Sequence, residues 1–480
     1  YGTCLMTVTT SFTGRDFSAE YERLLALLKL ELPEYTDWNH NDAGITLLRL
    51  LARETDLLND YIDRVFNEGF LQTAQFRQSL IELGRLVDYL PEVSSAATTT
   101  LTIARKYGLN APEDTITLPK YTSFTRNDGL SYLSLESLTI PYTQTPYTVN
   151  AMQGEATEIT ITKESFSLPD FAGFLKYDLG TGVAAGTVEL SHGTEPNQIT
   201  WTEVDSFWRS AETDYHFYLE LNGDSDSVWL VVGDGAHGAL PPEAEDLTLK
   251  YVVCDGADGN CGTGRITGIP TGYEEYIDTV TNAIVANGGA ESETIESLRR
   301  QIPAVTRAQR RAVTKEDYVA LVEHIPGVLW CQAIGRGEDN RFPWEYVALY
   351  IVPDGGGPMS DLFKDTVWAQ LRDWGHMLNW PGRYALLDAI EYPVDVSVKI
   401  WTATGYSQNT VTTNITNTLD SFFALSERGI SDAMSFVDLH TAVSNTSGVS
   451  VAEFVAPLTD INPGNGYIIR PGTYTISYQN

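Results

Sequence analysis

The stretch Gly288–Val328 reads GGAESETIESLRRQIPAVTRAQRRAVTKEDYVALVEHIPGV, and the chain divides around it. It gathers Arg299, Arg300, Arg307, Arg310, Arg311 and Lys315 in an otherwise acidic protein. Glu291, Glu293 and Glu296 precede Arg299 and Arg300, the order of charge a helix dipole favours. Pro303 is expected to end that helix or to start a new turn. The next helix opens on Thr314-x-x-Asp317, a capping-box pattern in which the Thr hydroxyl accepts a first-turn N–H. Tyr318, Leu321 and Val322 give it an apolar stripe at i, i+3 and i+4. The stretch is a hinge between a helical and β-rich front and an α/β rear.

Downstream, Thr314-x-x-Asp317-Tyr318-x-x-Leu321-Val322 followed by Gly327-Val328 has an echo. It is Ser435-x-x-Asp438-Leu439-x-x-Ala442-Val443 followed by Gly448-Val449, with the same offsets. Each copy reads as a capped helix, a glycine turn and a strand. Between them lie VALYIV, the helix LFKDTVWAQLRDW and one long strand, YALLDAIEYPVDVSVKIW. The order α-β-β-α-β predicts a small sheet with helices on one face. A second unit of the same kind, with a helix over Val411–Leu425, finishes the chain. Paired modules in series suit a scaffold better than a single catalytic domain.

Upstream, Asp16–Leu30 is amphipathic and Pro33 closes it. Asp42 is placed to cap a long helix, Ala43–Phe66. Two sets of apolar residues run along this helix. Leu48, Thr55 and Ile62 with Leu51, Leu58 and Val65 make an a/d seam over three heptads; Leu47, Leu50, Leu57 and Tyr61 make a second. A helix apolar on two sides is buried between neighbours or shared with another chain. The spacing leaves open a local bundle or one completed by a partner, and does not fix which seam faces outward. A third helix is expected over Ala74–Leu90, with Leu80, Leu83, Val87 and Leu90 on one side and Pro91 as its stop.

From Ala96 the chain turns Thr-rich and alternating: TTTLTIAR, DTITLPKYTSFT, LSYLSLESLTI, TEITIT, then TVEL, FYLEL, SVWLVV and LTLKYVV. Two nested β units are expected over residues 96–270. A length of 480 residues exceeds one core and predicts three to five domains. The expected fold class is α+β, multi-domain. It comprises an N-terminal helical region (1–95), a β-rich region (96–270), a connecting basic segment (271–312) and two small α/β modules (313–390 and 391–480). Net charge is −33, from 31 basic and 64 acidic residues. Such a chain repels nucleic acid and anionic membranes, and no apolar run reaches the length of a span. No signal peptide is visible, and Met6 is a candidate native start. Cys4, Cys254, Cys261 and Cys331 are too few for a disulfide scaffold and fit reduced cytosolic thiols, with a Cys254–Cys261 bridge across a tight loop as the alternative.

A search for chemistry finds no catalytic, cofactor-binding or metal-binding set. H-E-x-x-H, G-x-S-x-G and Walker loops are missing. The histidines (His40, His192, His216, His237, His324, His376, His440) have no ligand spacing. Gly233-Asp234-Gly235-Ala236-His237-Gly238 fits G-x-G-x-x-G, but Pro241 and Pro242 bar the helix a dinucleotide loop requires. It reads instead as a hairpin-like turn with positive φ. Asp224, Asp226 and Asp234 are candidate acids for glycoside hydrolysis or simple turn residues. Asp255–Asn260 lacks the alternating oxygens of a calcium loop. The aromatics Trp201, Phe207, Trp208, Tyr215, Phe217 and Tyr218 fit core and interface better than a sugar platform. Arg307, Arg310 and Arg311, without interleaved aromatics, point to a protein interface or internal ion pairs rather than nucleic acid.

Three sets of residues carry a resemblance. The first is Thr36-Asp37-Trp38-Asn39-His40-Asn41-Asp42-Ala43-Gly44-Ile45-Thr46-Leu47-Leu48, then Phe70-Leu71-x-Thr73-Ala74 and Arg77. The second is Trp201-Thr202-x-Val204-Asp205-x-Phe207, then Val232-Gly233-Asp234-Gly235-x-x-Gly238-x-x-Pro241, with Tyr251, Gly256 and Gly259-Asn260. The third is Gly288-Gly289-Ala290-Glu291-x-Glu293-Thr294, then Arg311-Ala312-Val313-Thr314-x-Glu316-Asp317-Tyr318. In this order the chain resembles the baseplate J-like wedge family of contractile phage tails and related injection systems. Ala43 departs from the family's frequent Pro, and Val232 from its frequent Phe. The resemblance implies a non-enzymatic structural protein of the virion tail baseplate, assembled in the host cytoplasm. It implies a dimer clamped by another wedge protein through a helical bundle, and further contacts closing a ring around the hub. Sheath-initiator-like and hub proteins are further partners it implies, and sheath contraction follows when the ring rearranges. Candidate interface residues are Leu47, Leu50, Leu57, Tyr61, Arg307, Arg310 and Arg311. A receptor-binding or polysaccharide-degrading tail protein is the alternative, with the aromatics Trp201 to Tyr218 and Asp224 to Asp234 as its site.

Overall fold

A computed structural model describes residues 11–479 except 40, 109–110, 168–172, 195, 244, 310, 340–341, 343–345, 374–375 and 378–383. The fold is α+β with two compact units. The first takes the described residues up to Pro91 with Asn222–Ser225 and Thr294–Pro303; the second takes Glu92–Leu221, Asp226–Glu293 and Ala304 onward.

The first unit is helical. Helix α1 (Phe17–Glu31) starts where the Asp16 carboxylate accepts the Ala19 N–H. Helix α2 (Ala43–Glu68) starts where Asp42 accepts the N–H groups of Gly44 and Ile45 and the Tyr35 hydroxyl. Two first-turn donors are thereby satisfied, as N-capping requires. Helix α3 covers only Arg77–Arg85, shorter than the periodicity predicts. Glu68 accepts the N–H groups of Gln75 and Phe76 and holds the entry extended. At the exit, Val87 and Tyr89 both donate to the Gly84 carbonyl and Asp88 takes a positive φ of 62°. Backbone partners outside the helix thus shorten it at both ends. Leu80 and Ile81 are buried, while Val87 stays exposed.

Helix α4 (Ile295–Ala308) continues through Pro303, which was expected to end it or to start a new turn. A helix-interior proline costs about 3 kcal/mol. Burial of Leu298 and Ile302 before it and Ala308 after it offsets that cost. The division between the two units falls directly after Pro303.

The second unit holds nested sheets. Thr98–Arg105 pairs with Ile277–Asn282 at the outside of the nest. A five-stranded sheet grows there through Tyr147–Gln153, Ser131–Ser134 and Ser123–Thr125. Its core packs Leu101, Ile103, Phe124, Tyr132, Val149 and Ile277. One level inward, Glu155–Ile161 pairs with Leu247–Val253. Innermost, Leu175–Thr181 pairs with Ser227–Val232, which pairs with His216–Leu221.

Two three-stranded sheets follow. Helix α5 (Lys315–Val322) is capped by Thr314, with the reciprocal Asp317 contact present. It leads through Gly327 (φ 85°) into Val328–Gly335. That strand pairs antiparallel with Val347–Pro353, which after helix α6 (Asp361–Asp373) pairs parallel with Tyr384–Asp388. In the second sheet, Ile390–Thr402 is central. Helix α7 (Gln408–Phe422) and helix α8 (Phe436–Ser444, capped by Ser435) follow it. Gly448 (φ 93°) then turns into Val449–Ala456, antiparallel to the centre, and Tyr467–Tyr478 lies parallel to the centre on the other side. Both sheets share strand polarities, but the centre is second in chain order in one and first in the other. The expected α-β-β-α-β order therefore holds for the first sheet alone. The run YALLDAIEYPVDVSVKIW is two strands: the Ala389 N–H donates to Ile351 of the first sheet and the Ile390 N–H to Gly466 of the second module.

Candidate assembly surface

Helix α2 packs on α1 through the less apolar of its faces. Ile45 and Ala52 are buried, Leu48, Thr55, Asn59 and Asp63 half-buried. Asp63 anchors the residues before α1, accepting from the Ser11 and Thr13 hydroxyls and from the Phe12 and Thr13 N–H groups at 2.9–3.1 Å. Desolvation raises its pKa, yet these donors prevail and hold it below the usual carboxylate range. Asn59 reaches the Arg15 carbonyl, and on α1 the buried Glu20 pairs with Arg15 at 3.3 Å and Arg23 at 2.7 Å.

The apolar residues of α2 point elsewhere. Leu47, Leu50, Leu57 and Tyr61 are 60–67 % exposed, and Leu51 and Leu58 are 62 % and 57 % exposed. Ile62, Val65 and Phe66 continue the exposed surface. Most of both apolar seams thus remains uncovered. Soluble monomers rarely leave so continuous an apolar surface open, and such surfaces mark binding sites. Sequence reasoning singled out Leu47, Leu50, Leu57 and Tyr61 but not Leu51 and Leu58. The available signal was the third face, where Asn59 and Asp63 stand ready for the backbone of the preceding segment.

The residues of the basic cluster fall in both units. Arg299 donates to the Ala74 carbonyl and pairs with Glu296 at 2.8 Å, serving the helical unit. Arg307 is exposed in the last turn of α4. Arg311 is exposed on a two-residue strand paired with His376–Met377. Arg310 lies outside the described residues. Lys315 pairs with Glu338 at 2.8 Å, which raises its pKa.

The candidate acids are occupied by turns. The Asp224 N–H donates to the Asn222 side chain, an Asx turn. Asp226 has φ 58° and accepts from the Ser292 hydroxyl. Asp234 accepts the N–H groups of His237 and Ala236, which lower its pKa. Gly235 and Gly238 both take φ 87°, and the Gly235 N–H closes on the Gly238 carbonyl, so this segment is a tight turn with no helix behind it. Trp201, Phe207 and Phe217 are core residues, while Trp208 is exposed. Cys254, Cys261 and Cys331 are free thiols, so the alternative Cys254–Cys261 bridge is not formed; Cys261 instead meets the Tyr132 hydroxyl. Cys4 lies outside the described residues. Among the described residues, no group of His, Cys, Asp and Glu is arranged to hold a metal, and no helix is long and apolar enough to cross a membrane.

Residues 16–86, which contain α1, α2 and α3, match the family model described as bacteriophage baseplate protein, N-terminal domain. Baseplate wedge protein gp6 of Enterobacteria phage T4 is 23 % identical over 402 residues, covering 76 % of this chain and 57 % of that protein. The chain thus spans a little over half the length of that relative. A chain in the cryo-EM structure of the anti-feeding prophage baseplate, 6-fold symmetrised, aligns over 96 % of this chain and 90 % of its own length. Its sequence identity is 13 % and its TM-score 0.33, a superposition too loose to decide anything about the fold. In its helical N-terminus and along most of its length, the chain is similar to proteins of the phage baseplate.

Proposed function

We propose that the chain is a non-enzymatic wedge component of a contractile-tail baseplate in the virion, of the J-like kind. The observation that carries this reading is the exposed apolar surface of α2, within the segment that matches the baseplate N-terminal domain. A second copy and another wedge protein complete the helical bundle on that surface. Contacts made by the C-terminal modules close a ring around the hub, and rearrangement of that ring passes the trigger to the sheath. Sheath-initiator-like and hub proteins are the further partners. Turn-bound carboxylates and duplicated small sheets support a scaffold rather than a polysaccharide-degrading protein.

Co-expression with the neighbouring tail proteins, followed by native mass measurement, tests this. A complex containing two copies of this chain and at least one helical partner is expected, and loss of that partner in a Leu50→Glu, Leu57→Glu variant. A chain that stays monomeric beside every neighbouring tail protein overturns it.

A further inference from the structure

Phe207 and the glycine turn Gly233–Gly238 meet in the innermost β unit and build a fixed mount. Phe207 is buried, its ring 5.0 Å from that of Tyr218 and 5.1 Å from that of Phe174. A Cβ on Gly238 would stand 3.4 Å from the Phe207 ring, and one on Gly233 would run into the Gly238 backbone. The turn therefore lies against the ring as only glycines allow. The segment after Phe207 is tied down as well. The Ser210 hydroxyl meets His216 Nδ1 at 2.8 Å, and the Asp214 carboxylate accepts the Ala211 N–H at 2.8 Å. The Gly238 N–H donates to the Ala211 carbonyl at 3.2 Å, and the Ala239 N–H to the Asp214 carbonyl at 2.8 Å.

Trp208 stands on this mount and is 72 % exposed. The 3-10 turn Phe207–Arg209 thus sends one aromatic ring inward as an anchor and the next one outward. The Arg209 guanidinium lies over the Trp208 ring at 4.7 Å. Single exposed apolar side chains are ordinary on a protein surface. A Trp stacked with Arg on a backbone fixed from both sides is less so: little ordering remains to be done on binding, and these two residue types are enriched where interface energy concentrates. Carboxylates surround the pair. Glu203, Asp205, Glu212 and Asp214 lie within six residues of Trp208, and Arg209 is the single basic residue among them. Glu203 and Glu212 are exposed and enter no ion pair among the described residues. Partial desolvation, and then the like charge of Asp205, raise the Glu203 pKa, so negative charge is crowded here.

We propose that Trp208 and Arg209 form the centre of a docking site for a different protein, one that offers an apolar pocket rimmed by Lys and Arg. Charge selects this occupant. A second copy brings net charge −33 and the same carboxylates, and is repelled from this rim. A basic rim instead pairs Glu203 and Glu212, which the chain itself leaves unpaired, and relieves the crowding at Asp205. Trp208 fills the pocket, with Arg209 stacked on its outer face. The site goes beyond the assembly surface proposed above. It lies in the second unit, whereas α2 lies in the first, and it uses no residue of α2.

The full chain, titrated with each neighbouring tail protein of net positive charge, tests it. One of them should bind and shield Trp208 from hydroxyl-radical oxidation, read by mass spectrometry. Trp208→Ala should weaken that binding about tenfold or more, and Trp208→Phe should keep most of it. Glu203→Lys with Glu212→Lys should weaken it as much and flatten its dependence on salt. All these side chains are exposed, so each variant should melt with the wild type. The shielding should persist in Leu50→Glu, Leu57→Glu, which separates this contact from the α2 surface. Equal oxidation of Trp208 in the free and bound chain, or unchanged binding by Trp208→Ala, overturns the site. Tighter binding by the two Lys substitutions, or a dimer of this chain alone that Trp208→Ala dissolves, overturns the choice of occupant. Should no basic tail protein bind through Trp208 while the Leu50, Leu57 variant still loses its helical partner, this inference fails and the proposed function stands.

Discussion

Replacing Leu50 and Leu57 by Glu separates folding from assembly. Both side chains are 60 % exposed in the free chain. Full burial of a leucine is worth about 1.5–3 kcal/mol, so covering what remains open yields about 1–2 kcal/mol for each. Six side chains of this kind on α2 supply roughly 6–12 kcal/mol gross, comparable with an association cost of about 4–15 kcal/mol. Assembly therefore has little to spare. Losing two contacts removes about 2–4 kcal/mol, a weakening of about 30- to 1,000-fold, before the desolvation of two carboxylates is added. The free chain should barely respond, because exposed substitutions usually lie within about 0.5 kcal/mol and Glu is a good helix former. Leu51→Glu with Leu58→Glu should behave alike, since these are exposed too. Ile45→Glu is the contrast: that side chain is fully buried, and an unpaired charge there should unfold the helical unit. Helicity and thermal melting report the fold, and co-purification with the helical partner reports assembly. Unfolding of the Leu50, Leu57 variant, or partner affinity within threefold of wild type, refutes the reasoning.

Asp354→Asn should change the pH dependence of stability. Burial pushes the Asp354 carboxyl up to about 6, so its favourable protonated state is fully kept below the unfolded pKa and lost as pH rises through 6. Relative to the Asn variant, the wild type should lose up to about 3 kcal/mol between pH 4 and 7.5 in denaturant titrations; parallel curves would contradict this. Thr314→Ala and Ser435→Ala each remove an N-cap and should each cost about 1 kcal/mol, read as a lower melting midpoint. The wild type should release no sugar from host polysaccharide; release that disappears in Asp224→Asn, Asp234→Asn would reinstate a hydrolytic site.

Local chemistry was legible where a few neighbouring residues decide it. Asp42, Thr314 and Ser435 cap the helices their spacing announced, and Gly327 and Gly448 take the positive φ that the repeat implied. The proline pair after Gly238 argued against a nucleotide loop, and the structure has a tight turn there with no helix behind it. Pro303 shows the other side, since packing on both of its flanks carries α4 past a residue that ends isolated helices. The ends of α3 likewise depended on Glu68 and on the Gly84 carbonyl, contacts that periodicity does not contain.

The sequence by itself determined the fold class, the caps, the glycine turns and two apolar seams on one helix. These depend on side-chain pattern and backbone sterics within a few residues. Tertiary structure alone decided that α1 takes the polar third face of α2 and leaves most of both seams open. It also decided that one long run splits at Ala389 between two sheets, and that the last strand is the edge of its sheet. Each of these is a choice of partner among faces and strands of similar local character, and that choice rests on hydrogen bonds spanning about 50 residues in the case of Asp63 and about 75 for Ile390.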